Sequence, residues 1–178
     1  MPTPKKSATQ KAKPVSHPAE ASGPQDADKL LMADHKKVKA LFGQYKKLVE
    51  GDAEAGDRKA LAEQICGMLT VHATIEEEIF YPAAREALEE QDLLDEAEVE
   101  HASAKDLIAQ LDSMDADDEL YDAKVTVLGE YIDHHVKEEE EEMFPKCRKS
   151  EMDLAELGVE LDERRTELMS EAGLAAEV

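Results

Sequence analysis

Apolar side chains recur at intervals of three or four residues in five consecutive stretches of the chain, which is the period of an amphipathic α-helix with one buried face. Short segments rich in Gly or Asp, such as Gly51–Asp57 and Asp112–Asp118, separate stretches and favour turns. The pattern predicts five helices, over about residues 26–50, 57–90, 92–113, 119–146 and 152–171. Because the connections are short, we expect the first four to form an up-down-up-down four-helix bundle of the all-α class.

The two ends of the chain differ from this bundle. Residues 1–25 contain five prolines, with four lysines against one glutamate, and lack an apolar stripe. We therefore expect a disordered basic tail over 1–25, a four-helix domain over 26–150, and a C-terminal amphipathic helix and tail over 151–178. The fifth helix is expected to cover the bundle or to present a surface to a protein partner. The N-terminal tail could also bind a protein partner.

Composition narrows the class of protein. Aromatic residues make up only 4% of the 178 residues and Trp is absent, which favours helices over sheets. The net charge of −22 argues against nucleic acid as the main partner. No apolar run approaches the roughly 20 residues that span a membrane. Cys66 and Cys147 form neither a disulfide framework nor a C-x-x-C motif, so a cytoplasmic protein is expected.

Two related motifs place polar residues within the apolar stripes. The first, H-A-T-I-E-E-E-I-F-Y-P, covers 72–82, and the second, H-V-K-E-E-E-E-E-M-F-P, begins 63 residues later and covers 135–145. Residues four apart in a helix lie on one face, one turn apart. Each motif would therefore direct a His and a Glu towards the core, where an unpaired carboxylate is costly. The two pairs are His72 with Glu76 and His135 with Glu139.

Two further histidines, His35 and His101, lie in the stripes of the first and third helices. Each half of the chain thus supplies a lone helical His followed by a His-x-x-x-Glu helix. A single buried His is more often a hydrogen-bonded core residue, but four of them on four stripes, with two carboxylates, indicate a metal site. The candidate ligands are His35, His72, Glu76, His101, His135 and Glu139.

The ligand types restrict the metal. Structural zinc needs four ligands and often uses Cys, and neither Cys joins the pattern. Calcium and magnesium prefer sites made only of oxygen. Imidazole mixed with carboxylate in a helical bundle is typical of iron or manganese, often as a pair of ions. Six protein ligands leave positions open on two octahedral ions, even when both carboxylates bridge, so water, oxide or a small molecule could also bind.

The motif set resembles the hemerythrin-like HHE cation-binding domain family over about residues 26–148. The resemblance rests on Asp34-His35, on Glu100-His101, and on the two H-x-x-x-E-E segments that end in F-Y-P and M-F-P. It implies a four-helix bundle with a non-haem di-iron centre, oxo- or hydroxo-bridged. By this resemblance the four histidines would be terminal ligands of two iron ions, and Glu76 and Glu139 would be the bridging carboxylates.

The chain departs from the oxygen-carrying hemerythrins at two positions. Those proteins have a further His one turn after the third-helix His, where this chain has Lys105. They also tend to use Asp five residues after the last His, where this chain has Glu140 beside Glu139. The first departure argues against oxygen carriage, and the second leaves the register of the last carboxylate open.

Three nearby side chains have alternative interpretations. Tyr131, one turn before His135, either packs in the core or supplies a phenolate ligand in the vacant position. Lys105 either hydrogen-bonds a bridging Glu or a bound oxygen species, or forms an ordinary salt bridge. His134 is rotated off the apolar stripe and is expected either at the surface or as a support behind the ligands.

The sequence therefore predicts a non-haem di-iron protein that acts on or responds to a small oxidant, such as O2, peroxide or NO, and is not a simple reversible O2 carrier. The alternative is an iron- or oxygen-sensing regulatory protein without turnover. A metal-free acidic adaptor is a third interpretation. Whether the chain is an enzyme stays open, and no residue is assigned a purely catalytic role.

Overall fold

A computed structural model describes residues 25–174 and is helical throughout, with no strand in that range. The α-helices are α1 (Ala27–Glu50), α2 (Ala55–Ile75), α3 (Tyr81–Ala87), α4 (Asp92–Asp112), α5 (Tyr121–Glu138), α6 (Phe144–Lys149) and α7 (Leu154–Glu171). Two π-helical segments, Glu76–Phe80 and Glu139–Met143, connect α2 to α3 and α5 to α6. The predicted all-α class is confirmed, whereas the predicted disordered tail lies outside the described residues.

Four long helices form the bundle, with α3 and α6 continuing α2 and α5. Helix α1 contacts α2 and α5, and α4 contacts the same two helices, so the four close into a ring. The predicted four-helix bundle and fifth helix are confirmed. Helix α7 lies outside the ring and packs on α1 and α2. Within the described residues, no helix has the length and apolar character needed to cross a membrane.

The interior has three layers along the bundle axis. An apolar cluster fills one end, with members that include Leu31, Ile75, Phe80, Leu94, Phe144 and Leu161. A second apolar cluster fills the other end, with members that include Val38, Ile65, Leu69, Leu111, Val125 and Leu128. The layer between them contains four buried histidines and two buried glutamates. Two apolar layers therefore screen a polar centre from water.

The π-helical segments are explained by the prolines that follow them. Proline lacks an N–H, and its ring clashes with the carbonyl four residues back in an α-helix. In the first segment the Tyr81 N–H donates to the Glu76 carbonyl five residues back, and in the second the Phe144 N–H donates likewise to Glu139. The helix predicted over 57–90 is therefore corrected: it contains a widened turn before Pro82 and ends at Ala87.

Candidate metal centre

The first half of the polar layer joins α1, α2 and both π-helical segments. The Nε2 atoms of His35 and His72 lie 3.1 Å apart. The Oε1 atom of Glu76 lies 3.1 Å from His72 Nε2, and Glu139 Oε2 lies 3.2 Å from His35 Nε2. Four ligand-type atoms from four buried side chains therefore converge on one point.

The second half joins α4 and α5 and uses the same carboxylates. The Nε2 atoms of His101 and His135 are also 3.1 Å apart. Glu76 Oε2 lies 3.3 Å from His101 Nε2, and Glu139 Oε2 lies 3.5 Å from His135 Nε2. Glu76 thus offers one oxygen to each half, and Glu139 Oε2 lies between the halves. The structure brings together all six of the side chains predicted as ligands.

Carboxylates outside the centre determine which nitrogen of each ring faces inward. The Nδ1 atoms of three histidines each lie within hydrogen-bond distance of a carboxylate, namely His35 with Glu140 at 2.9 Å, His101 with Glu77 at 2.9 Å, and His135 with Glu100 at 2.8 Å. A carboxylate only accepts, so each Nδ1 carries the proton and donates it. In neutral rings this leaves the Nε2 lone pairs directed into the centre.

The converging atoms fit a pair of metal ions better than they fit one another. Glu76 Oε1 and Glu139 Oε2 are fully buried and accept no hydrogen bond from the described residues. Facing imidazole lone pairs 3.1 Å apart repel unless a proton or a cation lies between them. A buried carboxylate without a partner is costly, so cations placed between these atoms would satisfy the whole set.

The metal-free centre compensates its carboxylates with protons. Burial lowers the pKa of His72, but Glu76 and Asp34 outweigh it and hold that pKa well above its usual range. For His135, too, burial is opposed by Glu139 and by Glu100, which raise the pKa to about 9. Metal binding should therefore displace protons from the centre.

The fourth histidine is supported less directly, and helix α7 is involved. Asp34 Oδ2 lies 3.7 Å from His72 Nδ1, and that nitrogen has no hydrogen bond to any residue that the structure describes. Arg165 of α7 donates from Nη1 to Asp34 Oδ1 at 2.7 Å. Helix α7 therefore reaches the immediate surroundings of the centre through one ion pair.

Tyr81 belongs to the centre and was missed by the sequence analysis. Its hydroxyl donates to Glu139 Oε1 at 2.8 Å and lies 3.2 Å and 3.4 Å from the Nε2 atoms of His101 and His135. Burial, then Glu139 and Glu76, hold the pKa of Tyr81 well above its usual range, so it donates as a neutral phenol.

There is a physical reason why the sequence pattern does not identify Tyr81. In an α-helix a residue five positions after Glu76 would point about 140° away from it. The π-helical turn instead places Tyr81 one turn beyond Glu76 and on the same side. Tyr131 has neither of its two expected roles: it is 48% exposed, so it neither packs in the core nor lies in the centre.

The other two open assignments are resolved by contacts. Lys105 donates to both oxygens of Glu77, at 2.7 Å and 2.6 Å, and so forms the salt bridge that was one of its two interpretations. His134 lies at the surface, which was one of its two expected positions, with 65% of its side chain exposed. Glu139 is buried in the centre and Glu140 supports His35, which decides the register of the last carboxylate.

A cavity of about 30 Å³ adjoins the four histidines. Apart from these rings, Asp34, Thr70 and Lys105, the side chains around it are apolar, namely Val38, Leu69, Ala73, Ala104, Ile108, Ile132 and Val136. Its volume suits a water or a molecule of two or three heavy atoms. The space beside the four histidines therefore suits a ligand of that size and is too small for a larger organic substrate.

Comparisons with known proteins agree with this fold. Residues 26–147 match the model of the hemerythrin HHE cation binding domain. The fold is similar to the crystal structure of a hemerythrin HHE cation binding domain-containing protein from Mycobacterium kansasii, a homolog of Rv2633c. That match has a TM-score of 0.67 and 23% sequence identity, and it covers 83% of this chain and 89% of the other. No characterised protein gave a significant sequence match.

Proposed function

Because the chain belongs to the hemerythrin HHE cation-binding domain family, we propose that it binds two iron ions and acts on or responds to a small oxidant. The oxidant would be O2, peroxide or NO, and the protein would not be a simple reversible O2 carrier. The observation that carries the proposal is the pair of two-histidine half-sites sharing Glu76 and Glu139. Within residues 25–174, Glu76 Oε1 and Glu139 Oε2 accept no hydrogen bond.

The residues divide into ligands and supports. His35 and His72 would hold one ion, His101 and His135 the other, and the two glutamates both. Such a pair of ions supplies redox chemistry and open coordination positions for a small molecule. Three carboxylates that accept from Nδ1 orient the rings of His35, His101 and His135. The cavity of about 30 Å³ limits the size of the ligand beside them.

Lys105 and Tyr81 argue against reversible carriage. Lys105 is paired with Glu77 and offers no lone pair where the oxygen carriers have a further His. Tyr81 places its hydroxyl beside His101 and His135 instead. If this phenol ionised next to a metal, its anionic oxygen would favour the higher oxidation state. Without that ligand, positions would stay open for a small molecule. Either arrangement would favour net oxidation by O2 over its release.

Repeated oxygen exposure tests this proposal. After anaerobic reduction, one exposure to O2 and its removal, we expect the optical spectrum of the oxidised protein to persist. The variant Lys105→His should move the behaviour towards reversibility, whereas Lys105→Gln, which also breaks the contact with Glu77 but supplies no imidazole, should not. Recovery of the starting spectrum by the unmodified protein over several cycles would contradict the proposal.

A sensing role is the second candidate, and the contact between Arg165 and Asp34 favours it. Helix α7 lies beyond the matched residues 26–147, yet it reaches the carboxylate that faces His72. A change of metal or oxidant occupancy could therefore alter how α7 packs. Consumption of peroxide or NO at many equivalents per protein would indicate an enzyme, and a single stoichiometric reaction would indicate a sensor.

Replacing Tyr81 by Phe should test the hydroxyl without disturbing the packing, because Phe144 holds the equivalent position in the other half and stacks on His35. In the metal-free protein we expect the free energy of unfolding to fall by about 1–3 kcal/mol, since buried Glu139 Oε1 loses its donor. Chemical denaturation measures this. The exposed control Tyr131→Phe should change it by less than about 0.5 kcal/mol, and equal losses in both variants would refute the assignment.

A further inference from the structure

A second cluster of metal-ligand type lies just outside the buried centre. His134 Nε2 is 3.2 Å from Glu138 Oε1 and 3.5 Å from Glu100 Oε1. The three atoms lie within 4.8 Å of one another, so a single ion could contact all of them. His134 is largely exposed, and the two glutamate side chains are 28% and 23% exposed. The cluster therefore faces solvent while its carboxylates are partly sheltered.

Each member of this outer cluster directly precedes a residue of the buried centre in the sequence. Glu100 precedes His101, and the pair His134 and Glu138 repeats the four-residue spacing of His135 and Glu139 one position earlier. The outer cluster thus lies on the same two helices, α4 and α5. On each helix its residues stand one position before those of the buried centre and therefore point about 100° away from them. The same helical geometry that aligns the inner pair aligns the outer one.

The other half of the duplicated bundle has no such cluster. The positions equivalent to Glu100, His134 and Glu138 are Asp34, Val71 and Ile75. Val71 and Ile75 are buried, and Asp34 is paired with Arg165 of α7. The outer cluster is therefore not a product of the internal repeat. It occurs on the half where α7 is absent.

Glu100 is already held in the orientation that a shared ion would need. Its Oε2 accepts a hydrogen bond from His135 Nδ1 at 2.8 Å, which leaves Oε1 directed towards His134. A ligand fixed in advance loses less side-chain freedom on binding. The net charge of −22 also raises the local concentration of cations.

We propose that Glu100, His134 and Glu138 form a second, solvent-facing site for a divalent first-row transition-metal cation, with water completing its coordination. The imidazole selects such an ion over Mg²⁺ and Ca²⁺, which prefer oxygen ligands. Glu100 would then have two roles: one oxygen would bind this ion, while the other accepts the hydrogen bond from His135. The site is independent of the identity of the buried metal.

The proposal is tested by titrating the metal-loaded full-length protein with Zn²⁺ and measuring the binding by isothermal titration calorimetry. His17, which lies outside the described residues, is replaced by Asn in every protein compared, so that it cannot supply the imidazole. We expect one saturable equivalent of Zn²⁺, bound at least tenfold more weakly by His134→Asn and by Glu138→Gln. Glu119→Gln, which removes the same charge from an exposed position, should bind as the parent does.

Elemental analysis after the titration separates this site from the buried one. The content of the buried metal should stay constant while zinc is gained. The proposal is overturned if no saturable equivalent appears, if zinc replaces the buried metal, or if the His134 and Glu138 variants bind like Glu119→Gln. In those cases the cluster is a set of ordinary ion pairs. A finding that the buried centre lacks iron would refute the proposed function and leave the zinc result intact.

Discussion

Removing the bound metal should lower the melting temperature by roughly 8–16 °C. When the free metal concentration is 1,000 times the dissociation constant, binding stabilises the folded state by about 4 kcal/mol. Each kcal/mol shifts the melting temperature by about 2–4 °C for a chain of this size. The structure explains the coupling, because the centre exists only when four helices are assembled. Without metal, the buried Glu76 Oε1 and Glu139 Oε2 accept no hydrogen bond from the described residues, and protonated histidines compensate their charge instead.

Calorimetry of one preparation before and after anaerobic chelation measures this shift. The loss should be larger at low salt, since the net charge of −22 is then screened less. A His35→Ala variant serves as the control, because chelation should lower its melting temperature less than that of the parent. Identical melting curves for the loaded and metal-free parent would rule out coupling between folding and metal.

The sequence predicted which six side chains converge in the core, because their direction depends only on local helical geometry. A His and a Glu four residues apart point the same way in any regular helix, and their place in an apolar stripe shows that they point inward. The short connections then make neighbouring helices antiparallel. The six residues therefore could be identified without knowing any contact between helices.

The supports of the ligands could not be identified in this way. Glu140 hydrogen-bonds His35 on another helix, and Glu77 supports His101 in the same manner. Such contacts depend on how the helices are rotated against each other. Predicting the position of Tyr81 would also have required knowing that the helix widens before Pro82.

The run Glu76–Glu78 offers a graded test of the centre, since three adjacent glutamates have three different environments. Glu76 is fully buried and offers an oxygen to each half of the centre. Glu77 contacts His101 Nδ1 and Lys105 instead. Glu78 forms an ion pair with Arg164 of α7 and lies outside the centre.

Replacing each of them by Gln should therefore affect metal content to a different degree. In Glu76→Gln an amide replaces the shared carboxylate, so we expect iron to fall from two ions to one or fewer per chain. Glu77→Gln should keep both ions but bind them about 10–100-fold more weakly, as loss of a carboxylate that supports a ligand does elsewhere. Glu78→Gln should match the parent. Elemental analysis after growth with iron measures the metal content of all three variants. The assignment of Glu76 as a shared ligand would be contradicted if the parent protein held one zinc or no metal. It would also be contradicted if the Glu76→Gln protein held two ions.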